Sequence, residues 1–337
     1  MSTEYLHWIS TPGPVKLCQD ISNAITGKST VWIPGILPWA EEFRETVIDT
    51  VNADDSSINI ELTDFETIGT AVTPVELIFE LDPSARQEYL PAMDFPRFII
   101  NKHVLERTVL WIYNIDDGNK KQWIDLSRSL ARQSAGFKII CEGDFYADPA
   151  KGVSIISVGK YITEFDLLLY AMTMGQKNNN NSELTMYACR LAVKLAEDDP
   201  EKIAELLDNF DRLIDEPKEY ASEVLPDKTD EFIKGAIRNA QTLAILPKAE
   251  EKRCELVDRL GSDISKLIPF SDDFGNKIEN PDEVELRHMV YFYNAGELEI
   301  REDDRRELFF FYNIRNDVAH RKLIEGNRTR ECLEMRC

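Results

Sequence analysis

Along the first half of the chain, short apolar runs alternate with longer segments in which apolar residues recur every three or four positions. Residues 30–33, 57–62, 108–115, 137–141 and 153–158 have the β-branched, aromatic or alternating character of strands. Residues 40–51 and 120–133 have helical spacing, and 75–79 is a separate apolar stretch. Strands as uniformly apolar as TVLWIYNI, separated by crossover helices, predict a mainly parallel sheet covered on both faces. Residues 1–175 are therefore expected to form an α/β domain.

The pattern breaks at 176–182, QKNNNNS, which has no apolar residue and reads as an Asn-rich linker. Beyond it the period is helical throughout: 184–197, 201–214, 230–246, 250–268, 281–293 and 302–324. Pro200 and Pro281 suit helix starts, and Pro247 is expected to end the third of these helices. An all-α C-terminal half follows, with an acidic helical connector over 183–280 and a terminal bundle region over 281–337.

Composition adds constraints. The 337 residues carry 39 Lys and Arg against 61 Asp and Glu, a formal charge of −22, which argues against a protein whose whole surface coats nucleic acid or an anionic membrane. Fourteen acidic and four basic residues fall within 197–231, either as a solvated helical face or as a docking surface for a basic protein partner or a mimic of nucleic acid. Residues 1–14 have no Lys or Arg and contain Glu4, unlike a secretory signal, and no apolar run approaches the roughly 20 residues of a membrane span, so a cytoplasmic address without membrane insertion is expected. The cysteines, Cys18, Cys141, Cys189, Cys254, Cys332 and Cys337, are scattered and read as reduced thiols. His7, His103 and His288 show no ligand spacing, so no metal or cofactor is expected.

Two segments of the first half invite a chemical reading. Gly27-Lys28-Ser29-Thr30 matches the end of a phosphate-binding loop, but it precedes a strand instead of following one, and Ser22 stands where the first glycine belongs; a turn between helix and strand is the better reading. Asp116 and Asp117 close a strand, where α/β sheets bind ligands, but with Gly118 and Asn119 they also suit a plain polar turn.

The last long helix carries the most specific pattern. At about 100° per residue, Leu308, Phe311, Arg315, Val318 and Lys322 share one stripe, so a guanidinium interrupts a core-facing row. Asn316 and His320 share a face, whereas Arg315 and His320 point about 140° apart on a straight helix. Between Asn313 and Arg330, five basic residues (Arg315, Arg321, Lys322, Arg328 and Arg330) face Asp317 and Glu325, a local balance of +3 suited to a phosphate backbone. Pairing of Arg315 with a nearby carboxylate, capping by His320 and interaction of the other cations with the helix dipole would explain the same residues structurally.

The segment Arg315-Asn-Asp-Val-Ala-His320 resembles the R-x4-6-H signature of the HEPN superfamily, and the apolar helix, Asn294-Ala-Gly296 break and Phe-rich helix before it resemble that helical fold. The resemblance implies a metal-independent endoribonuclease acting as a homodimer through the C-terminal bundle. His320 would be the acid/base for attack of the ribose 2′-hydroxyl, Arg315 would stabilise the phosphorane and Asn316 would orient the phosphate or His320. Arg321, Lys322, Arg328 and Arg330 would bind RNA. The first 160 or so residues resemble AAA+ or STAND ATPases, with the phosphate loop at Pro34-Gly35-Ile36-Leu37-Pro38-Trp39 and a Walker B-like strand ending at Asn114, Asp116 and Asp117. They lack the loop's Lys and Ser/Thr and the Asp-Glu pair, which implies a degenerate domain without a nucleotide site. Such combinations resemble prokaryotic anti-phage defence and toxin systems. A regulated ribonuclease and a non-catalytic adapter for a partner ATPase or nuclease are the two functions the residues allow; an active NTPase is the least supported.

Overall fold

The computed structural model describes residues 3–27, 30–68, 72–116, 120–132, 136–176, 181–272 and 275–335. The chain divides into two compact units, Met1–Tyr170 and Ala171–Cys337. The first is mixed α/β. Its elements are α1 (Thr3–Ser10), α2 (Pro12–Thr26), β1 (Thr30–Pro34), α3 (Ala40–Asp54), β2 (Asn59–Asp64), α4 (Phe65–Ile68), α5 (Pro74–Leu81), α6 (Pro83–Glu88), α7 (Phe95–Asn101), β3 (Thr108–Tyr113), α8 (Lys120–Arg132), β4 (Lys138–Gly143), β5 (Val153–Ile155) and α9 (Glu164–Gly175), whose last turns belong to the second unit.

The five strands form one parallel sheet in the order β2-β3-β4-β1-β5. Alternation along each strand sends side chains to opposite faces. Val31, Ile33, Val109, Trp111 and Ile140 pack beneath α1–α3 with Trp8, Leu17, Ile21, Phe43 and Val47. Trp32, Leu110, Ile112, Ile139 and Cys141 pack on the other face with Ile78, Phe98, Trp123 and Leu130 of α5, α7 and α8. The central strands β1, β3 and β4 are thus covered on both faces, which is why they read as apolar runs, whereas the edge strands β2 and β5 are only partly buried. The apolar stretch 75–79 is helical, within α5, because Thr73 and Glu76 form a reciprocal capping box immediately before it.

The second unit contains α10 (Ser182–Ala196), α11 (Pro200–Asp208), α12 (Phe210–Asp215), α13 (Pro217–Val224), α14 (Asp230–Arg259), α15 (Gly261–Leu267), the short hairpin β6 (Phe270–Ser271) and β7 (Lys277–Ile278), α16 (Leu286–Ala295), α17 (Glu302–Ala319) and α18 (Gly326–Glu334). The central α14 packs against α10, α13, α17 and α18. One core runs across residue 280 without a break: Ile245, Leu256 and Ile264 pack with Met289, Leu308, Phe311 and Cys332. Of the Asn-rich segment, Asn181 caps α10, its side chain accepting from Glu183 and Leu184, while residues 177–180 lie outside the described ones.

Several helix boundaries differ from the periodic reading. The expected helix 201–214 is two, because Asn209 ends α11 and its side chain caps α12. Pro281 opens a short 3₁₀ turn ahead of α16. The helix expected over 302–324 stops at Ala319, and α13 and α18, with few apolar residues to set a period, were not anticipated. Pro247 does not end a helix: α14 runs through it for 30 residues. The carbonyl that a residue-247 N–H would engage, that of Leu243, instead receives Arg190 Nη1 at 3.4 Å.

Candidate functional site

The end of α17 carries the sequence-derived candidates. Glu302, Asp303 and Asp304 start the helix on its positive dipole end. Leu308, Phe311, Ile314 and Val318 form its buried row. Ile314, not Arg315, fills the row between Phe311 and Val318, so the expected interruption of the core does not occur and Arg315 is exposed. Its side chain reaches Asn316 Oδ1 at 3.5 Å, and among the described residues no carboxylate pairs with it.

At the helix end His320 is the terminal cap and Arg321 is left-handed at φ 57°. Lys322 N–H donates to Asp317 O at 3.0 Å and Arg321 N–H to Val318 O at 2.9 Å, the paired bonds of a Schellman motif with arginine in the usual glycine place. The His320 ring is exposed and has no side-chain partner among the described residues.

Arg315, Asn316 and Tyr312 line one side of a cleft of about 550 Å³, facing Glu250 and Arg253 of α14 and Glu285 and Arg287 at the start of α16. Glu250 is gripped by Arg253 at 2.7 Å, which holds its carboxyl below the usual range. Glu285 lies 3.0 Å from Arg287, which also reaches Asp272 at 3.0 Å. These carboxylates make their direct ion pairs with other cations, and the Arg315 charge adds to the pull of Arg253 on the Glu250 carboxyl. The structure brings Arg315 and Asn316 together on the cleft; His320, past the last turn, does not line it.

Of the remaining candidate cations, Arg321 is exposed with no carboxylate partner among the described residues, and the other three have internal carboxylates. Lys322 and Arg328 converge on Asp317, at 2.9 and 3.3 Å, and hold its carboxyl below the usual range. Arg330 forks onto Asp215 and Asp211, both at 2.8 Å, and its guanidinium pKa is raised mainly by Asp215. The acidic stretch 197–231 thus supplies counter-charges to the C-terminal helix.

No protein-family model and no curated protein matches this chain.

In the first unit, Gly27 caps α2 and Thr30 opens β1; Lys28 and Ser29 lie outside the described residues. The loop 34–39 joins β1 to α3, whose first turn carries Glu41 and Glu42, so its N-terminal dipole faces carboxylates of its own. Asn114 is left-handed, with φ 62°, and donates to Asp64 Oδ1 at 2.9 Å; Asp116 is exposed, and Asp117 lies outside the described residues.

Sequence reading missed the most distinctive polar group here. Glu142, at the carboxyl end of β4, is buried, paired with Arg44 of α3 at 2.7 Å and receives Trp111 Nε1 at 2.7 Å. Arg44 also lies over the Tyr113 ring, 3.9 Å from its centroid. Burial pushes the Glu142 carboxyl up to about 7, against the opposing pull of Arg44. The signal was present in the sequence, a lone carboxylate in the strand KIICEG.

Of the other histidines, His103 is exposed beside Glu106, His288 Nδ1 accepts from Glu285 N–H at 3.1 Å, and His7 is wholly buried with neither ring nitrogen hydrogen-bonded. Among the described residues no group of three or more His, Cys, Asp or Glu is arranged to hold a metal ion, and no helix is long and apolar enough to cross a membrane. Cys18, Cys141, Cys189 and Cys332 are buried free thiols, and Cys254 is exposed.

Proposed function

We propose that the chain is a metal-independent endoribonuclease of HEPN type in which Arg315 binds the scissile phosphate. The observation that carries this reading is an exposed guanidinium without a carboxylate partner, set beside the Asn316 amide on an open cleft. In the proposed reaction His320 takes the 2′-hydroxyl proton as the 2′-oxygen attacks phosphorus. The phosphorus–5′-oxygen bond breaks as His320, now acting as acid, returns a proton to that oxygen, leaving a 2′,3′-cyclic phosphate and a 5′-hydroxyl. Arg315 and Asn316 stabilise the pentavalent phosphorus. His320 lies off the cleft of its own chain, so the reaction uses two copies, the second supplying the facing motif. Its cytoplasmic setting, a degenerate nucleotide-binding first unit and a role in a prokaryotic defence system belong to the same proposal.

Incubation of an RNA pool in EDTA with wild-type protein and His320→Ala, with product ends mapped, tests it. Cleavage to cyclic-phosphate ends that falls by at least about a hundredfold in the variant is expected. Absent or undiminished cleavage overturns it.

The neutralisation of Lys322, Arg328 and Arg330 by Asp317, Asp211 and Asp215 favours a second reading, a non-catalytic adapter. In that case His320→Ala leaves any growth effect of the expressed protein unchanged.

A further inference from the structure

A second cavity, of about 580 Å³, adjoins the Arg315 cleft, and Arg287 and Tyr312 line both. Its wall is aromatic. Phe270 meets His288 edge to face at 5.2 Å and Phe292 at 4.9 Å, and Phe292 in turn meets Tyr291 at 5.5 Å. The stack ends at Tyr291, which is 64% exposed. Asn294 follows one turn later on α16, and Gly296, left-handed at φ 74°, turns the chain so that Glu297 lines the same cavity. Both polar side chains are exposed, without partners among the described residues.

An open aromatic face flanked by an amide and a carboxylate suits a flat heterocycle that carries both donors and acceptors on its edge. A guanidinium without a carboxylate partner, one helical turn beyond Tyr312, suits an anion about 5 Å further along. The two together are the chemistry of single-stranded nucleic acid, in which bases stack on rings and phosphates meet arginine. A duplex, with its bases already stacked on one another, has no free face to offer Tyr291.

We propose that the two cavities form one groove for single-stranded RNA. In it a base stacks on Tyr291 with its edge toward Asn294 and Glu297, and a neighbouring phosphate is held by Arg315. The proposal rests on the ribonuclease reading and adds to it a base-binding subsite and a preference for unpaired RNA. Of the cleft's carboxylates, Arg253 holds Glu250 and Arg287 holds Glu285, and in the adjoining cavity Arg287 also holds Asp272, whereas Asp282 and Glu283 line the cleft as well and add negative charge to it.

The test is fluorescence anisotropy with a labelled single-stranded oligouridylate of about ten nucleotides and a duplex of equal length. It is done in EDTA on full-length His320→Ala protein, so that binding is read without cleavage. The single strand should bind more tightly than the duplex. Adding Tyr291→Ala should weaken single-strand binding about tenfold, and Tyr291→Phe should restore it. Arg315→Ala should weaken it comparably and lower the salt slope by about one phosphate. Tyr291 is exposed, so the variants should keep the parent's circular dichroism. Equal binding by the Tyr291→Ala protein, equal affinity for the duplex, or no binding overturns the subsite. Cleavage that depends on His320 while binding ignores Tyr291 leaves the ribonuclease standing and removes the subsite; binding that depends on Tyr291 without cleavage does the reverse.

Discussion

Two buried groups of the first unit give it opposing responses to pH. His7 is wedged among Trp8, Trp39 and Tyr170, and burial lowers its pKa from 6.5 to about 4. Between those values the unfolded chain binds more protons at this site, so the His7 contribution to stability is complete above pH 6.5 and is lost as pH falls toward 4. Burial raises Glu142 from 4.5 to about 7, so the native state binds more protons over that window and stability is lost as pH rises through it. Each shift has an upper bound of about 3 kcal/mol, and over the shared window the two slopes nearly cancel. Urea midpoints measured from pH 4.5 to 7 should therefore be almost flat for the wild type, rise with pH in Glu142→Gln and fall with pH in His7→Phe. At pH 7, His7→Phe should also gain about 1 kcal/mol, because it removes two buried nitrogens that have no hydrogen bond. Parallel profiles for all three proteins would contradict this assignment.

At the scale of elements, legibility followed burial. The central strands β1, β3 and β4 could be read because burial on both faces forces continuous apolar sequence, and α3 and α8 because a buried stripe sets a 3.6-residue period. The misread boundaries depend on partners remote in sequence. Nothing near Pro247 shows that Arg190, 57 residues earlier, donates to the carbonyl that the proline leaves without its helical partner. Likewise the position of Arg315 outside the core row could be read only once Ile314 was seen to fill it, and the carboxylates that neutralise Arg330 lie more than 100 residues away. The α14 account is testable by a double-mutant cycle. Pro247 is exposed, so Pro247→Ala loses little packing and restores a backbone hydrogen bond, for an expected gain of about 1–2 kcal/mol. Arg190→Ala should cost about 0.5–1 kcal/mol in the wild type and less in the Pro247→Ala background. Additive effects in chemical denaturation would show that Arg190 does not serve the Leu243 carbonyl.

Across the whole molecule, charge sets the terms on which any RNA is met. The first unit has 14 Lys and Arg against 25 Asp and Glu, and the second 25 against 36, so each carries −11 of the total −22. Self-repulsion of this kind acts between exposed groups over distances that salt screens, about 30 Å at 0.01 M and 10 Å at 0.1 M. The melting temperature should therefore rise by several degrees between about 0.01 and 0.3 M NaCl, whereas sucrose at matched osmolality in low salt should not reproduce the salt dependence. The same field bears on the groove. Counterion release from phosphates at Arg315 weakens binding as salt rises, while screening of the acidic surface strengthens it. The two oppose each other, so oligonucleotide affinity should fall only shallowly with salt, by less than one logarithm per tenfold increase, in contrast to the steep loss of a basic nucleic-acid-binding surface. A steep negative slope would mean that cations now paired with Asp317, Asp211 and Asp215 exchange those carboxylates for phosphates on binding, which would move the RNA from the α16–α17 groove onto α18.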